Sequence, residues 1–353
     1  MSRNQTVYVS GYSGEDNKGI YAYDFDTTTG QLTECCLAAE SKNPSYFVPD
    51  VLRQRLYAVN EVASYNGQTT GYVSAYERHA DGTLGLAAEQ PSGGAHPCHA
   101  VVDRSGSFLL VANYTGGTVA SLPLGPPIGQ PQVCAHNQKE TGFVSDRQEK
   151  PHAHSIDLDP VAQRWAVSMD LGSDVAAVYA FDSQAGTLTP SSTFKFPNGT
   201  GPRHVFFSPI DPSLCYVVGE LSNVIYTMRF SEGKFTEIQH IPGLPQDFTG
   251  TNLASEIDIT PNGKFLYASM RGHDSIAVYQ IDQQSGTLTH ICHHSSGGKH
   301  PRHFTIDPTG QYMIVGNMES NNIVVFKIDQ DTGRLTSIQT VKHAEPTCVK
   351  FWA

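Results

Sequence analysis

The chain carries little charge and no long hydrophobic run. Charged residues make up 16% and hydrophobic residues 39% of the sequence, and no window approaches the ~20 consecutive apolar residues of a membrane span. The first residues, Met-Ser-Arg-Asn-Gln, contain no apolar signal-peptide core. The formal net charge of −11 disfavours nucleic acid and anionic membrane surfaces as partners, because both repel an acidic protein. We therefore expect a cytoplasmic protein with neither kind of partner.

The sequence also lacks the short motifs of several protein classes. Its seven cysteines are odd in number and form no Cys-x-x-Cys pair, which favours free thiols in a reducing compartment. No Gly-x-Ser-x-Gly elbow occurs, and no Gly-x-Gly-x-x-Gly follows a strand pattern, so a serine hydrolase and a dinucleotide-binding protein have no support. Four cysteines fall in strand patterns and are expected to be buried packing residues: Cys98, Cys215, Cys292 and Cys348.

What the sequence does contain is a β repeat, seen most clearly between residues 254 and 290. Three short runs with alternating side chains are separated by turn signals at residues 261–263, 271–274 and 284–286. A fourth strand pattern follows Gly286. Four antiparallel strands within about fifty residues are typical of one propeller blade.

Copies of this unit run from one end of the chain to the other. A small or proline residue starts each copy, at Pro44, Pro97, Ala153, Pro202, Ala254, Pro301 and Pro346, with spacings of 53, 56, 49, 52, 47 and 45 residues. The pattern Gly-x-Leu or Gly-x-Phe recurs near the end of most units, with its glycine at Gly30, Gly82, Gly186, Gly233, Gly286 and Gly333. The third unit has Ile128-Gly129-Gln130-Pro131 instead.

The two ends of the chain complement each other. The last copy stops after one strand at Ala353, and residues 6–32 supply the pattern of three more strands. A ring closed by both ends lacks the exposed sheet edges that an open array of blades would leave. The sequence therefore predicts an all-β, seven-bladed propeller with four antiparallel strands per blade. In this prediction, the N- and C-terminal strands share one blade and residues 1–353 form one domain.

Two columns of the aligned repeats carry the candidate functional residues. The position after the repeat start holds Ser45, Cys98, His154, Arg203, Ser255, Arg302 and Thr347, and the end of the second strand holds Tyr12, Glu61, Tyr114, Asp170, Glu220, Arg271 and Met318. The start of one antiparallel strand and the end of the next lie on the same side of a sheet. We therefore expect both columns to surround one mouth of the central channel.

The charges in these columns favour a small-molecule site at that mouth. The predicted catalytic residues are His154, Glu220, Arg203 and Arg271, and the predicted substrate-binding residues are Arg302, Asp170, Glu61 and His152. Arginines concentrated in an acidic protein attract an anionic ligand and can bind phosphate or carboxylate in a bidentate manner. A histidine and a glutamate beside them can move a proton near neutral pH. An anion site next to an acid–base pair suggests an enzyme.

The sequence also allows structural roles for these residues. The arginines and glutamates could form a salt-bridged ring that ties neighbouring blades together. His152 and His154 lie two apart on one strand and could form a metal pair, but no third ligand stands at a tight spacing, so we predict no metal. His99, His204 and His303 occupy the next column and are expected to point the opposite way and pack between blades. Two irregular stretches, residues 134–150 and 241–252, are expected to be loops, the first functional or disordered and the second over one mouth.

Six motifs resemble the lactonase-type seven-bladed propeller family. They are Val-Ala-Asn-Tyr-Thr-Gly-Gly at 111–117, Pro-His-Ala-His-Ser at 151–155, Gly-Pro-Arg-His at 201–204, Gly-Glu-Leu-Ser-Asn at 219–223, Met-Arg-Gly-His-Asp-Ser-Ile at 270–276 and Lys-His-Pro-Arg-His-Phe at 299–304. The resemblance covers essentially the whole chain. It implies that His154 and Glu220 act as acid and base and that Arg203 and Arg271 bind an anion.

The family includes bacterial 6-phosphogluconolactonases and fungal carboxymuconate-lactonizing enzymes. The resemblance therefore implies a carboxylic ester hydrolase that needs no cofactor and acts on a small anionic sugar lactone. The expected substrate is 6-phosphoglucono-1,5-lactone of the pentose phosphate pathway. Two alternatives are a lactonizing cycloisomerase, and a non-catalytic propeller that binds a protein partner through an exposed apolar face.

Overall fold

The computed structural model describes residues 4–136 and 143–353, which form seven antiparallel sheets of four strands each. In these residues the helical structure is one 3₁₀ turn, Val51–Arg53, and none of it is long and apolar enough to cross a membrane. The seven-bladed, all-β propeller predicted from the repeats is confirmed.

The strands follow one another from blade to blade in chain order. Blade 1 begins with β1 (Asn4–Gly11), β2 (Gly19–Asp26) and β3 (Leu32–Glu40). Blade 2 has β4 (Pro44–Asp50), β5 (Arg55–Asn60), β6 (Tyr72–Arg78) and β7 (Leu84–Pro91). Blade 3 has β8 (Pro97–Val102), β9 (Phe108–Asn113), β10 (Thr118–Pro123) and β11 (Gln132–Ala135). Blade 4 has β12 (Ala153–Leu158), β13 (Trp165–Asp170), β14 (Val175–Asp182) and β15 (Thr187–Lys195).

The second half of the ring repeats the same order. Blade 5 has β16 (Pro202–Phe207), β17 (Leu214–Gly219), β18 (Val224–Ser231) and β19 (Lys234–Pro242). Blade 6 has β20 (Leu253–Ile259), β21 (Phe265–Arg271), β22 (Ser275–Ile281) and β23 (Leu288–Ser295). Blade 7 has β24 (Pro301–Ile306), β25 (Tyr312–Asn317), β26 (Asn322–Ile328) and β27 (Leu335–Lys342). The last strand, β28 (Pro346–Phe351), pairs with β1 and completes blade 1.

Burial changes from the centre of each blade to its edge. The first strands of neighbouring blades contact one another around the ring. Every residue of β21 is buried, because blades pack against both of its faces, whereas most residues of β23 at the edge are half-buried or exposed. Apolar clusters fill the spaces between blades, as where Tyr216 and Val218 of blade 5 meet Leu266 and Met270 of blade 6. Removing this surface from water is the main stabilising contribution to the ring.

The recurring glycine signal has a structural cause. Gly286 and Gly333 adopt positive φ angles of 77° and 68° in the turn before the outermost strand, a conformation that glycine adopts without a steric penalty. Their carbonyl oxygens accept hydrogen bonds from tyrosines of the preceding blade, Tyr216 Oη at 2.8 Å and Tyr267 Oη at 2.9 Å. The glycines therefore form links between blades. Blade 3, which lacks the signal, has the four-residue edge strand β11.

Blade 1 closes the ring as predicted. Val7 pairs with Phe351 in the β1–β28 ladder, and the Trp352 backbone N–H donates to Thr6 O at 2.8 Å. The seven cysteines are free. Three of the four in strand patterns are buried as predicted, namely Cys98, Cys215 and Cys348, and Cys292 is half-buried.

Each innermost strand contains a register shift that the sequence pattern did not reveal. In blade 5, Pro202 pairs with Gly219 and His204 with Val218, so Arg203 is an extra residue in the strand. The same shift occurs in the other six blades at the same column. Such a bulge bends the strand and changes where its side chains point. As a result, Arg203 and His204 stay together, with Arg203 Nη1 3.1 Å from His204 Nε2.

The predicted orientation of His99, His204 and His303 is therefore wrong. The centroids of the His99 and His204 rings are 5.1 Å apart. The Tyr46 ring lies 4.4 Å from His99 and 5.8 Å from His303, so it joins the third histidine to this group. The predicted packing between blades is confirmed in part. The Ile156 backbone N–H donates to His99 Nδ1 of the neighbouring blade at 3.3 Å, and the Val349 backbone N–H donates to His303 Nδ1 of its neighbour. His204 instead pairs with Glu256, 2.9 Å away.

Candidate active site

Glu220 lies at the centre of a group of cations at one mouth of the channel. It directly follows β17, and its backbone N–H donates to Gly201 O, which holds the turn against the start of blade 5. Its Oε2 lies 3.1 Å from Arg203 Nε and 3.0 Å from Arg271 Nη2. Its Oε1 lies 2.6 Å from Arg147 Nη2. Three arginines from different parts of the chain thus meet on one carboxylate whose side chain is 2% exposed.

The carboxylate of Glu220 is held in its charged form. Burial alone would raise its pKa, but Arg271, His154, Arg203 and Arg147 together outweigh burial and hold the pKa well below its usual range. Glu220 is therefore ionised at neutral pH and is a poor proton acceptor there. Its negative charge partly neutralises the cations around it.

The two buried arginines are anchored to the backbone of β20. Arg203 Nη1 donates to Ser255 O at 2.9 Å, and Arg271 donates to Leu253 O and Ala254 O at 3.1 and 3.0 Å. Burial lowers the pKa of Arg271 to about 10, which leaves it protonated at neutral pH. Glu220 and Arg271 connect blade 5 with blade 6, so the geometry of a blade-tying salt bridge is present.

One contact in this cluster leaves hydrogen-bonding capacity unused. Arg203 Nε and Glu220 Oε2 are 3.1 Å apart but are not aligned as donor and acceptor. Both atoms are buried without a hydrogen-bond partner among the described residues. Buried polar groups are rarely left in this state. Arg203 and Glu220 are therefore held together here by charge attraction.

His154 lies next to this carboxylate. Its Nε2 is 3.6 Å from Glu220 Oε2, and its Nδ1 is 3.9 Å from Cys98 Sγ. Burial lowers the pKa of His154 well below its usual value, and the positive charge of Arg203 lowers it further. The imidazole is therefore neutral at neutral pH and carries a free lone pair. A neutral imidazole next to an anion can accept a proton and have the resulting charge stabilised.

Arg302 and Glu61 form a second part of the rim. Arg302 Nη2 donates to Tyr12 Oη at 2.9 Å and lies 3.8 Å from Glu61 Oε2. Tyr12 Oη donates to Glu61 at 3.1 Å, and the Arg302 guanidinium lies 5.3 Å from the centre of the Tyr12 ring. The structure therefore brings both predicted residues to the mouth, where Tyr12 joins them.

Asp170 and His152 are not brought into this cluster. Asp170 is fully buried, and its oxygens accept from the His152 and Ser173 backbone N–H groups and contact His136 Nδ1 at 2.8 Å. The His152 ring stacks on Tyr114, and its Nε2 lies 3.0 Å from Glu149. Their hydrogen bonds hold the chain where it enters blade 4, which gives both residues an anchoring role, and their contact with substrate stays a prediction.

The sequence did not predict a functional role for Arg147. It lies in the irregular stretch 134–150, of which residues 137–142 are outside the described residues and 134–135 end β11. No periodicity distinguishes it from its polar neighbours, so the sequence offered only the loop's position before β12 as a signal. Tyr114 Oη lies 3.3 Å from Arg147 Nη2. Tyr114 belongs to the second column, but the sequence did not predict a functional role for it.

The second irregular stretch lies beside the same site. Residues 241–242 belong to β19, and the remainder leads to Asn252. Asn252 Nδ2 donates to Asn223 Oδ1 at 2.6 Å, and its Oδ1 accepts from the His273 backbone at 2.9 Å. The stretch therefore joins the turns that follow β17 and β21. Glu220 is the first residue of the former turn, and Arg271 is the last residue before the latter.

No metal-binding group occurs in the part of the chain that the structure describes: no three His, Cys, Asp or Glu side chains are arranged to hold an ion. His152 and His154, the pair with a metal-like spacing, face different carboxylates, Glu149 and Glu220. Independence from metals stays a prediction.

Comparison with known proteins gives a consistent family assignment. The family model described as "Lactonase, 7-bladed beta-propeller" matches residues 6–351. A protein of Bacillus subtilis strain 168 named 6-phosphogluconolactonase is 37% identical over 301 residues, which cover 84% of this chain and 83% of that protein.

Solved structures support the same assignment. The Pseudomonas aeruginosa periplasmic gluconolactonase superposes with a TM-score of 0.92 at 28% identity, covering 99% of both chains. A protein of Bacteroides fragilis superposes with a TM-score of 0.91 at 30% identity, covering 99% of this chain and 98% of the other.

Proposed function

Since the chain belongs to the lactonase family of seven-bladed β-propellers, we propose that it hydrolyses 6-phosphoglucono-1,5-lactone to 6-phosphogluconate, a reaction of the pentose phosphate pathway. The observation that carries the proposal is the cluster at the channel mouth, where a neutral His154 lies beside Glu220 and its arginines. An anionic sugar lactone suits a cationic mouth in a chain of net charge −11. The named activity of the Bacillus subtilis relative supports the same substrate.

In the proposed reaction, His154 is the general base. A water oxygen attacks the lactone carbonyl carbon while His154 Nε2 takes a proton from that water. We assign this step to His154 because the Glu220 carboxylate is the counterion of Arg147, Arg203 and Arg271 and therefore has little affinity for a proton. Glu220 instead stabilises the imidazolium, from which it is separated by 3.6 Å. General-base catalysis of this kind contributes on the order of 10²–10⁴ in rate.

The buried arginines stabilise the charge that develops on the carbonyl oxygen. The Arg203 guanidinium lies 3.1 Å from Glu220, so its positive charge acts on an oxyanion that forms beside that carboxylate. A fixed donor in a buried site stabilises a transition state by more than the same donor in water. When the tetrahedral intermediate collapses, the bond from the carbonyl carbon to the ring oxygen breaks. The imidazolium of His154 returns its proton to that oxygen, and the acid product then ionises.

Purified protein should be tested on three lactones with uncatalysed hydrolysis subtracted. These are 6-phosphoglucono-1,5-lactone, its unphosphorylated analogue and a carboxymuconolactone, with acid release followed in a pH-stat. We expect the highest kcat/KM on the phosphorylated lactone. We also expect a loss of about 100-fold or more in His154→Ala.

Each other result has a definite meaning. A preference for the carboxymuconolactone would favour the cycloisomerase activity. Wild-type turnover of none of the three, in folded protein, would refute the proposed function and favour a binding scaffold. Full activity in His154→Ala would refute the proposed base.

A further inference from the structure

Arg147 differs from the other arginines of the Glu220 cluster in its exposure to solvent. Its side chain is 30% exposed, compared with 5% for Arg203 and 6% for Arg271. It comes from the segment between blades 3 and 4, whereas the other two come from the blades. It is therefore the cation of this cluster that an incoming ligand meets first.

The segment around Arg147 is held firmly in place. Gln148 is fully buried and donates through Nε2 to Leu171 O at 2.8 Å and to Asp174 Oδ1 at 2.7 Å. The next residue, Glu149, contacts His152 Nε2 at 3.0 Å. These contacts hold the backbone next to Arg147 and so limit the region that its guanidinium can occupy. The contact of His152 with Glu149 thus helps to hold the segment that carries Arg147.

The bonds that Arg147 makes can be exchanged for bonds to a ligand. The donors of Arg203 and Arg271 are used in part on backbone carbonyls of β20, which cannot move away. Arg147 Nη2 instead contacts two side-chain groups at the mouth, Glu220 Oε1 at 2.6 Å and Tyr114 Oη at 3.3 Å. Glu220 keeps Arg203 and Arg271 if Arg147 turns to another anion, so its charge stays compensated.

We propose that Arg147 is a specificity-determining residue that binds the phosphate of the substrate. In doing so, its guanidinium leaves the Glu220 carboxylate and forms its bonds with the phosphate instead. This inference rests on the proposed function. A phosphate carries more negative charge than a carboxylate and offers three acceptor oxygens to a guanidinium. Binding of an anion therefore moves Arg147 from Glu220 to the substrate, while Glu220 stays next to His154. A lactone without the phosphate does not make this exchange.

The test compares Arg147→Gln with Lys150→Gln on both the phosphorylated and the unphosphorylated lactone. Lys150 is an exposed residue of the same segment, so the two variants lose the same charge near the same place. For Arg147→Gln we expect KM on the phosphorylated lactone to rise about 10- to 100-fold, as for the loss of a charge-assisted bond to phosphate. We expect kcat/KM on the unphosphorylated lactone to change by less than about threefold, and Lys150→Gln to match the wild type on both.

Two kinetic results would overturn the inference. Equal losses on both lactones would mean that Arg147 only orients Glu220, and an unchanged KM on the phosphorylated lactone would mean that it does not bind the phosphate. Should Arg147→Gln not fold, Arg147→Lys retains the charge but loses the planar donor pair, and a smaller rise in KM, again confined to the phosphorylated lactone, is expected.

A binding measurement separates this inference from the proposed function. Calorimetry with 6-phosphogluconate should give a Kd about tenfold weaker or more for Arg147→Gln than for Lys150→Gln. If wild-type protein hydrolyses no lactone but shows this difference, the proposed function fails and the anion site stands. If wild-type protein hydrolyses the phosphorylated lactone and the two variants bind 6-phosphogluconate equally, the proposed function stands and the inference fails.

Discussion

Replacing Glu220 with Gln tests both the chemistry and the stability of the arginine cluster. The substitution preserves the size of the side chain and removes its charge. Arg203 and Arg271 then remain buried, at 5% and 6% side-chain exposure, without the carboxylate that lies 3.1 and 3.0 Å from them. Arg147 loses its ion pair but stays in contact with solvent.

The expected loss of stability follows from this geometry. Removing one partner of a buried ion pair costs about 3–5 kcal/mol, because the other partner stays buried and unpaired. The pair with Arg147 is partly exposed and adds at most about 1 kcal/mol. For 353 residues, an unfolding entropy of about 2.1 cal/mol/K per residue converts about 3–5 kcal/mol into a Tm decrease of about 4–7 °C.

The pH dependence of this loss has a definite sign. The pKa of Glu220 is held below its usual range in the folded protein, since the cations around it outweigh burial. Its contribution to stability is therefore fully present above the unfolded value of about 4.3 and is lost as pH falls through the folded value. At pH 7.5 Glu220 is ionised in both the folded and the unfolded chain, so the difference in Tm between wild type and Glu220→Gln should have its full value there.

Thermal unfolding at pH 7.5, followed by circular dichroism, measures this effect. Glu237→Gln is the matched control, because Glu237 is an exposed residue of the same blade, and its Tm should stay within about 1 °C of the parent. In the lactone assay we expect kcat/KM of Glu220→Gln to fall about 100-fold, since the imidazolium of His154 loses its counterion.

Two results would refute this reasoning. A Tm for Glu220→Gln equal to that of Glu237→Gln would show that the buried arginines do not depend on Glu220. A large drop in Tm with full activity would show that Glu220 is only a salt bridge between blades and has no part in catalysis.

Three further predictions address ring closure, the general base and Asp157, a residue of the innermost strand β12. Deleting residues 347–353 removes all of β28 except Pro346 and exposes the edge of β1, so the protein should aggregate in size-exclusion chromatography; a monomer with an unchanged Tm would contradict ring closure. Because burial lowers the pKa of His154 well below 6.5, kcat/KM should stay constant as pH falls from about 8 to 6.5, and a decline centred at pH 6.5 would exclude the proposed base. Burial raises the pKa of Asp157 to about 7, so ionisation destabilises the folded state increasingly as pH rises from about 4 to 7. Asp157→Asn should therefore raise Tm by about 1–2 °C at pH 8 and much less at pH 4, whereas equal gains at both pH values would rule out ionisation as the cause.

The architecture was predictable from the sequence because each blade is a local unit. Strand alternation, turn residues and the glycine before the outermost strand recur at regular spacing, and the incomplete units at the two ends can be joined in one way. The columns that brought Arg203, Glu220 and Arg271 together were also predictable. Equivalent positions of a closed repeat surround a common axis, so their side chains converge although they are far apart in the chain.

Tertiary structure alone decided the features that depart from the repeat. The extra residue in each innermost strand turned His204 toward the channel, because a bulge breaks the alternation on which the sequence prediction depended. The columns treated Asp170 as equivalent to Glu220, but the hydrogen bonds of His136, His152 and Ser173 use its carboxylate in anchoring the chain. Arg147 lies in a segment without periodicity, and its place against Glu220 follows from the bonds that Gln148 makes to blade 4. A repeat specifies positions within the blades, whereas the position of a connecting segment depends on contacts with residues distant in sequence.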